Sequence, residues 1–194
     1  MANRPEISSQ PGLRPAVFLD RDGVLNEDLG YSFDVAQLRV IAGAALALKQ
    51  LKDRGYLLIV VSNQSGVARG YFTTTEVDRF NAALNQRLRG EQGTGVDAFY
   101  YCPFHPDGKV PDYTKASQLR KPEPGMVLQA AAEHGVDLRR SYLVGDKFSD
   151  IECAVRAGVK GIQVAAPDQS KHPLALFWVS SLADVPALIP TTRI

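Results

Sequence analysis

The feature that most constrains this chain is a rhythm. Six short runs rich in β-branched, aliphatic and aromatic residues, at 16–20, 56–63, 98–102, 142–146, 161–165 and 177–179, alternate with stretches of helical spacing. Several runs are almost wholly apolar, LLIVV at 57–61 above all. A strand without polar alternation suits the middle of a sheet covered on both faces. Between the runs, 43–54 sets Ala44, Leu48 and Leu51 on one face, and Gly55 stands where a helix stops. A second helix is expected over 74–89, where Thr73 and Glu76 have the spacing of a capping box. A third, over 124–134, follows Lys121-Pro122-Glu123-Pro124, proline being suited to a first turn. The segment 148–157 ends at Ala157-Gly158, and 181–188 offers Ser181 and Asp184 as a second box. Strand–helix alternation of this kind predicts an α/β fold, a doubly wound parallel sheet with helices on both faces.

Size and composition fit one such unit. The chain has 194 residues, 45% of them apolar, enough for one packed core. A single domain is expected over 15–194, behind a flexible tail over 1–14 in which Pro5, Pro11 and Gly12 break any pattern. That opening lacks the apolar run of a signal peptide, and the run Leu57–Val61 is too short to cross a bilayer. A net charge of +1 points to neither nucleic acid nor a membrane surface. Two cysteines, Cys102 and Cys153, are too few for a disulfide framework and suit a reducing compartment. The expectation is a cytoplasmic, monomeric protein with no nucleic-acid or membrane partner.

In an open parallel sheet, ligands gather beyond the carboxyl ends of the strands. The first run ends in Asp20-Arg21-Asp22-Gly23, the second in Ser62-Asn63-Gln64-Ser65-Gly66, and the fourth in Gly145-Asp146-Lys147. Arg120-Lys121 precedes the third helix. Core packing gives no reason for carboxylates, hydroxyls and lysines to converge on one sheet edge. Carboxylates this close repel one another unless a cation intervenes. Three hard oxygen donors, Asp20, Asp22 and Asp146, suggest Mg²⁺. An ionised carboxylate can attack phosphorus and form an acyl phosphate, which makes Asp20 the candidate nucleophile. Phosphoryl transfer then needs chiefly positioning and charge neutralisation, available from Ser62 and Lys121. Asp22 is placed to protonate the leaving oxygen and later to take a proton from water. Each residue alone has an ordinary alternative: a polar turn for Asp-x-Asp, a strand-end cap for Ser62, a solvated lysine at 121 or 147. Asp150 is as readily a first-turn helix residue as a support for the metal site, and Arg69 is left without a role.

Taken together, the motifs resemble those of the haloacid dehalogenase (HAD) superfamily of phosphatases. Asp20-Arg21-Asp22-Gly23-Val24-Leu25 matches the first, Val60-Val61-Ser62-Asn63 the second, Lys121 in RKPEPGM the third and Gly145-Asp146-Lys147-Phe148-Ser149-Asp150 the fourth, in the superfamily's order. The resemblance implies a Rossmann-like HAD fold and a phosphoaspartate intermediate. The segments FLDRDGVLN, Gly30-Tyr31, SNQSGVARG, YYCPFHPDG and VGDKFSD are similar to the heptose bisphosphate phosphatases, and histidinol-phosphate phosphatases share much of the pattern. This implies a small phosphorylated sugar as substrate, losing its 7-phosphate, with Asp28, Leu29, Gly30, Tyr31, Ser62, Asn63, Gln64, Ser65, Arg120, Lys121 and Lys147 in contact with it. Histidinol phosphate, or another small phosphomonoester, is the alternative. A non-catalytic phosphate-binding domain would lack Asp20 or Asp22, and both are present.

Two departures qualify the resemblance. Many relatives hold structural zinc through a C-P-H loop followed by C-x-C. Here Cys102-Pro103-Phe104-His105 and Ser117-Gln118-Leu119 leave only Cys102 of the four ligands, so no zinc is expected. Phe104 and Leu119 are expected to hold the loop by apolar packing. The intervals between Asp20 and Ser62, and between Ser62 and Lys121, have no room for a lid domain. The site is expected to be open and shaped by loops at 26–34, 64–72 and 103–120.

Overall fold

A computed structural model describes residues 12–192. Its six strands are β1 (Ala16–Leu19), β2 (Leu57–Asn63), β3 (Ala98–Cys102), β4 (Tyr142–Gly145), β5 (Lys160–Val164) and β6 (Phe177–Val179). They form one sheet in the order β3-β2-β1-β4-β5-β6, every neighbouring pair parallel. The main helices are α1 (Ala44–Asp53), α2 (Thr74–Gln92), α3 (Gly125–His134), α4 (Phe148–Ala157) and α5 (Val185–Leu188).

Alternation along each strand divides the apolar residues between two cores. Val17, Leu19, Leu58, Val60, Val144 and Ile162 enter one, with Leu48 and Leu51 of α1, Phe80, Leu84 and Leu88 of α2, and Val185 of α5. Ala16, Phe18, Ile59, Val61 and Leu143 enter the other, with Met126, Val127 and Ala130 of α3 and Cys153 and Ala154 of α4. The apolar runs are therefore strands buried on both faces, as their lack of polar alternation predicts. Cys153 behaves as a small buried hydrophobe, and burial pushes its thiol up to about 12.

Both capping boxes form: Thr73 with Glu76, and Ser181 with Asp184. Helix α2 runs three residues past the expected end at 89, because the first residue in the left-handed region is Gly93 (φ 70°) and Gly90 does not interrupt the turn. Pro124 caps α3 instead of occupying its first turn. The expected last helix divides into a 3₁₀ turn, Leu182–Asp184, and α5. Of the tail expected over 1–14, residues 1–11 lie outside the described residues. Arg14 is tied down: its N–H donates to the Gly135 carbonyl at 3.1 Å and its carbonyl accepts from Asp137 N at 2.9 Å. Those partners lie far off in sequence, so no local pattern announces them. Among the described residues no helix is long and apolar enough to cross a membrane, and none of the segments between motifs forms a lid domain.

The strand order positions the site. β1 lies beside β4, and Asp20 N donates to the Val144 carbonyl at 2.8 Å. Helix α1, which follows β1, covers one face, while α4, which follows β4, covers the other. The chain leaves these adjacent strands in opposite directions, opening a crevice at their carboxyl ends.

Candidate active site

Asp20 leaves β1 directly into that crevice and is buried. Its Oδ1 accepts from Arg21 N at 2.8 Å and lies 2.9 Å from Lys121 Nζ. Lys121 arrives from the loop before α3, only 3% exposed, and its Nζ also sits 2.6 Å from Asp150 Oδ1 and 2.8 Å from the Val61 carbonyl. One buried ammonium thus bridges β1, β2 and the first turn of α4. Burial opposes its charge, but Asp150 and Asp20 prevail and hold its pKa above the ordinary lysine value. Asn63 fastens the loop from the other side: Lys121 N donates to Asn63 Oδ1 and Asn63 Nδ2 to the Lys121 carbonyl, each at 3.0 Å.

The carboxylates Asp20, Asp146 and Asp150 each present an oxygen within 4.8 Å of the others. Burial pushes the Asp20 carboxyl up, Lys121 pulls it back and Asp150 adds to the rise. Burial and then Asp20 push Asp146 up to about 7, against the pull of Lys147. Asp146 Oδ1 is buried with no hydrogen-bond partner. Gly23 lies close against Asp146, since a Cβ there would stand 2.7 Å from Asp146 Oδ2. Its φ of 82° also suits glycine. An unpartnered buried oxygen and mutually repelling carboxylates at a sheet edge fit a hard divalent cation, which would keep them ionised.

Asp22, expected as the third ligand, turns its carboxylate elsewhere. Arg21 Nη2 lies 2.9 Å from Asp22 Oδ2, and the carboxylate also accepts from Asn26 Nδ2 at 2.8 Å and Gln64 Nε2 at 3.0 Å. Arg21 is wholly buried, so its charge must be paired. Besides Asp22 it donates to the Ser32 carbonyl at 2.7 Å and Asn81 Oδ1 at 3.0 Å, and it stacks 4.5 Å from the Phe80 ring. Gln64 also donates to Ser62 Oγ at 2.8 Å, linking motif two to Asp22. Asp150 takes the third place in the cluster, while its Oδ2 caps α4 by accepting from Lys147 N at 3.0 Å. Both roles open to Asp150 from the sequence are therefore compatible.

The crevice opens into a cavity of about 340 Å³ lined by Asp22, Asp28, Gly30, Tyr31, Asn63, Gln64, Ser65, Arg120, Lys121 and Lys147. A smaller recess of about 40 Å³ reaches Asp20, Ser62 and Asp150. Lys147 Nζ pairs with Asp28 Oδ2 at 3.2 Å and ties the loop after β1 to the start of α4. Of the expected contact residues, Leu29 stands apart. It lines a neighbouring hollow with Phe33, Leu38 and Phe80. Arg21, Asn26 and Asn81 were not foreseen. The signal for Arg21 was its place between two acids at the end of an apolar strand, where alternation turns it towards α2.

The loop that carries zinc in many relatives is packed here on aromatic and apolar groups. The Phe104 ring lies 5.9 Å from Tyr113, with Lys115 Nζ 4.5 Å above it, and Phe104 and Leu119 pack against the second core. Ser117 Oγ accepts from Leu119 N at 3.1 Å.

Comparison with known proteins agrees with this geometry. Residues 118–182 match the HAD-hydrolase-like family model. The D-glycero-beta-D-manno-heptose-1,7-bisphosphate 7-phosphatase of Yersinia pestis is 39% identical over 179 residues, covering 90% of this chain and 95% of that protein. Its counterpart from Haemophilus ducreyi is 41% identical, covering 89% and 96%. Among solved structures, the D,D-heptose 1,7-bisphosphate phosphatase of B. bronchiseptica, complexed with magnesium and phosphate, superposes with a TM-score of 0.78 at 29% identity, over 90% of this chain and 97% of that one. Fold and similarity together define a HAD-type phosphatase. The chain belongs, within that superfamily, to the family of the heptose bisphosphate phosphatases.

Proposed function

We propose that this chain hydrolyses the 7-phosphate of D-glycero-D-manno-heptose 1,7-bisphosphate through a phosphoaspartate on Asp20. The observation that carries the chemistry is the buried Lys121 bridge between Asp20 and Asp150, beside the unpartnered Asp146 Oδ1. Similarity to the Yersinia and Haemophilus proteins along nine-tenths of the chain supports the substrate.

Both hydrogen bonds to Asp20 fall on Oδ1, which leaves Oδ2 to attack phosphorus. As the Oδ2–P bond forms, the bond from phosphorus to the sugar oxygen breaks, and that oxygen takes a proton from Asp22. Arg21, Asn26 and Gln64 hold Asp22 in place for the transfer. Water then attacks phosphorus and gives its proton to Asp22, and the P–Oδ2 bond breaks to restore Asp20 and release phosphate. Lys121 and Ser62 neutralise and orient the phosphoryl oxygens. Asp20 and Asp146, with Asp150 behind them, would hold Mg²⁺, which supplies charge neutralisation at the transferred group.

Asp22→Ala is expected to lower kcat by about 10²–10⁴, the usual worth of a positioned acid–base group. A steady-state rate within twofold of wild type would remove Asp22 from the mechanism. EDTA is expected to stop phosphate release and Mg²⁺ alone to restore it. Elemental analysis of the dialysed protein is expected to find no stoichiometric zinc, the ligand set being reduced to Cys102. Activity surviving the chelator, or one equivalent of bound zinc, would contradict the respective assignment. The substrate is tested by phosphate release measured side by side on heptose 1,7-bisphosphate and histidinol phosphate, with a clear preference for the heptose ester expected. The reverse preference would favour the histidinol reading.

A further inference from the structure

Five residues line both the small recess at Asp20 and the larger cavity: Asp22, Asn63, Lys121, Lys147 and Ser149. They mark the junction of the two spaces. A phosphomonoester held for attack by Asp20 has its phosphorus in the recess and its alcohol in the cavity. Its ester oxygen and the carbons nearest to it therefore pass this junction. Four of the five side chains are already engaged there. Asp22 accepts from Arg21, Asn26 and Gln64. Both polar atoms of the Asn63 amide are spent on the Lys121 main chain. The Lys121 ammonium is shared by Asp20, Asp150 and the Val61 carbonyl. Lys147 pairs with Asp28. Of the five, only the Ser149 hydroxyl has no hydrogen-bond partner among the described residues.

The fold gives that hydroxyl no structural task. Ser149 is the second residue of α4 and is half-buried. The side chain that serves this helix start is Asp150, whose Oδ2 accepts from Lys147 N at 3.0 Å. The residues that α4 contributes to the second core, Cys153 and Ala154 among them, lie further along the helix. A serine hydroxyl can both donate and accept. A ligand brought against a free hydroxyl displaces water from it, and binds better if it offers a hydrogen bond in return. In a sugar phosphate, the carbon beside the esterified one carries a group that can do so, a hydroxyl of its own.

We propose that Ser149 Oγ hydrogen-bonds the substrate hydroxyl on the carbon next to the phosphate ester. Ser149 is then a specificity residue for phosphate monoesters of vicinal diols, and takes no part in bond breaking. The heptose as the particular diol rests on the function proposed above; the preference for a neighbouring hydroxyl does not.

The test uses the full-length protein with Ser149→Ala and Ser149→Thr. The ratio of kcat/KM for heptose 1,7-bisphosphate to that for p-nitrophenyl phosphate, which has no such hydroxyl, is expected to fall about 3–30-fold in S149A, mainly through KM, as for loss of one hydrogen bond. S149T keeps a hydroxyl and is expected to recover part of the ratio. A ratio unchanged in S149A, whether both activities fall together or neither falls, would overturn the proposal. Wild-type protein that hydrolyses p-nitrophenyl phosphate but not the heptose ester would instead refute the proposed substrate. Ser149 is then read from competitive inhibition of p-nitrophenyl phosphate hydrolysis, comparing glycerol 3-phosphate with propyl phosphate, which lacks the neighbouring hydroxyl. Glycerol 3-phosphate is expected to bind more tightly to wild type and to lose that advantage in S149A. No advantage in wild type, or one that survives S149A, overturns the proposal.

Discussion

Asp20→Asn is expected to lower turnover by about 10⁴-fold or more, the scale seen when a covalent nucleophile is removed, while the fold survives. The amide has the shape of the carboxylate, and its carbonyl can still accept from Arg21 N and Lys121 Nζ at the Oδ1 position. What it lacks is the anionic oxygen that attacks phosphorus. The substitution takes one of two counter-charges from Lys121, which keeps Asp150, and it relieves the crowding of Asp146 and Asp150, so the two effects on stability largely offset. The thermal midpoint is expected within a few degrees of wild type. Multiple turnover within tenfold of wild type, in protein shown by mass spectrometry to retain the amide, would rule out Asp20 as nucleophile.

Lys121→Met is expected to damage both activity and folding. The methionine stem fills much of the same volume but brings no charge. Asp20, Asp150 and the Val61 carbonyl then face one another in a buried site without their shared donor. Removing one partner of a buried ion pair costs about 3–5 kcal/mol, because the other charge is left uncompensated. For a domain of this size that is a fall of about 6–20 °C in thermal midpoint. Loss of a positioned donor to the phosphoryl oxygens is expected to lower kcat by a further about 10²–10³. Stability and chemistry separate in the double variant Lys121→Met/Asp150→Asn. Neutralising Asp150 is expected to return part of the midpoint and none of the rate. A single variant that melts within 2 °C of wild type would show that the bridge is not what holds this edge together.

Much of the site can be read along the chain because its groups lie where apolar strands end. Asp20, Ser62 and Asp146 each sit one or two residues beyond an unmistakable apolar run, and parallel strands bring such ends to the same edge. Lys121 is legible from its setting before a proline-led helix. The helices follow from periodicity and from side chains three apart, as at Thr73 with Glu76. Where the reading slips, the deciding partner is remote. Arg14 is ordered by Gly135 and Asp137. The Asp22 carboxylate is drawn from the expected cation cluster by Arg21, Asn26 and Gln64. Leu29 lines a separate hollow with Phe33, Leu38 and Phe80.

From its residues alone, this chain determined its fold class and the kinds of groups at its sheet edge, the candidate nucleophile Asp20 among them, because local propensity, apolar burial and chemical type are properties of short segments. The strand order that sets β1 beside β4, and the placing of Asp150 and not Asp22 among the clustered carboxylates, were decided only by tertiary structure. A side chain's direction and its charge environment depend on neighbours that the folded backbone brings within a few ångströms, whatever their separation along the chain.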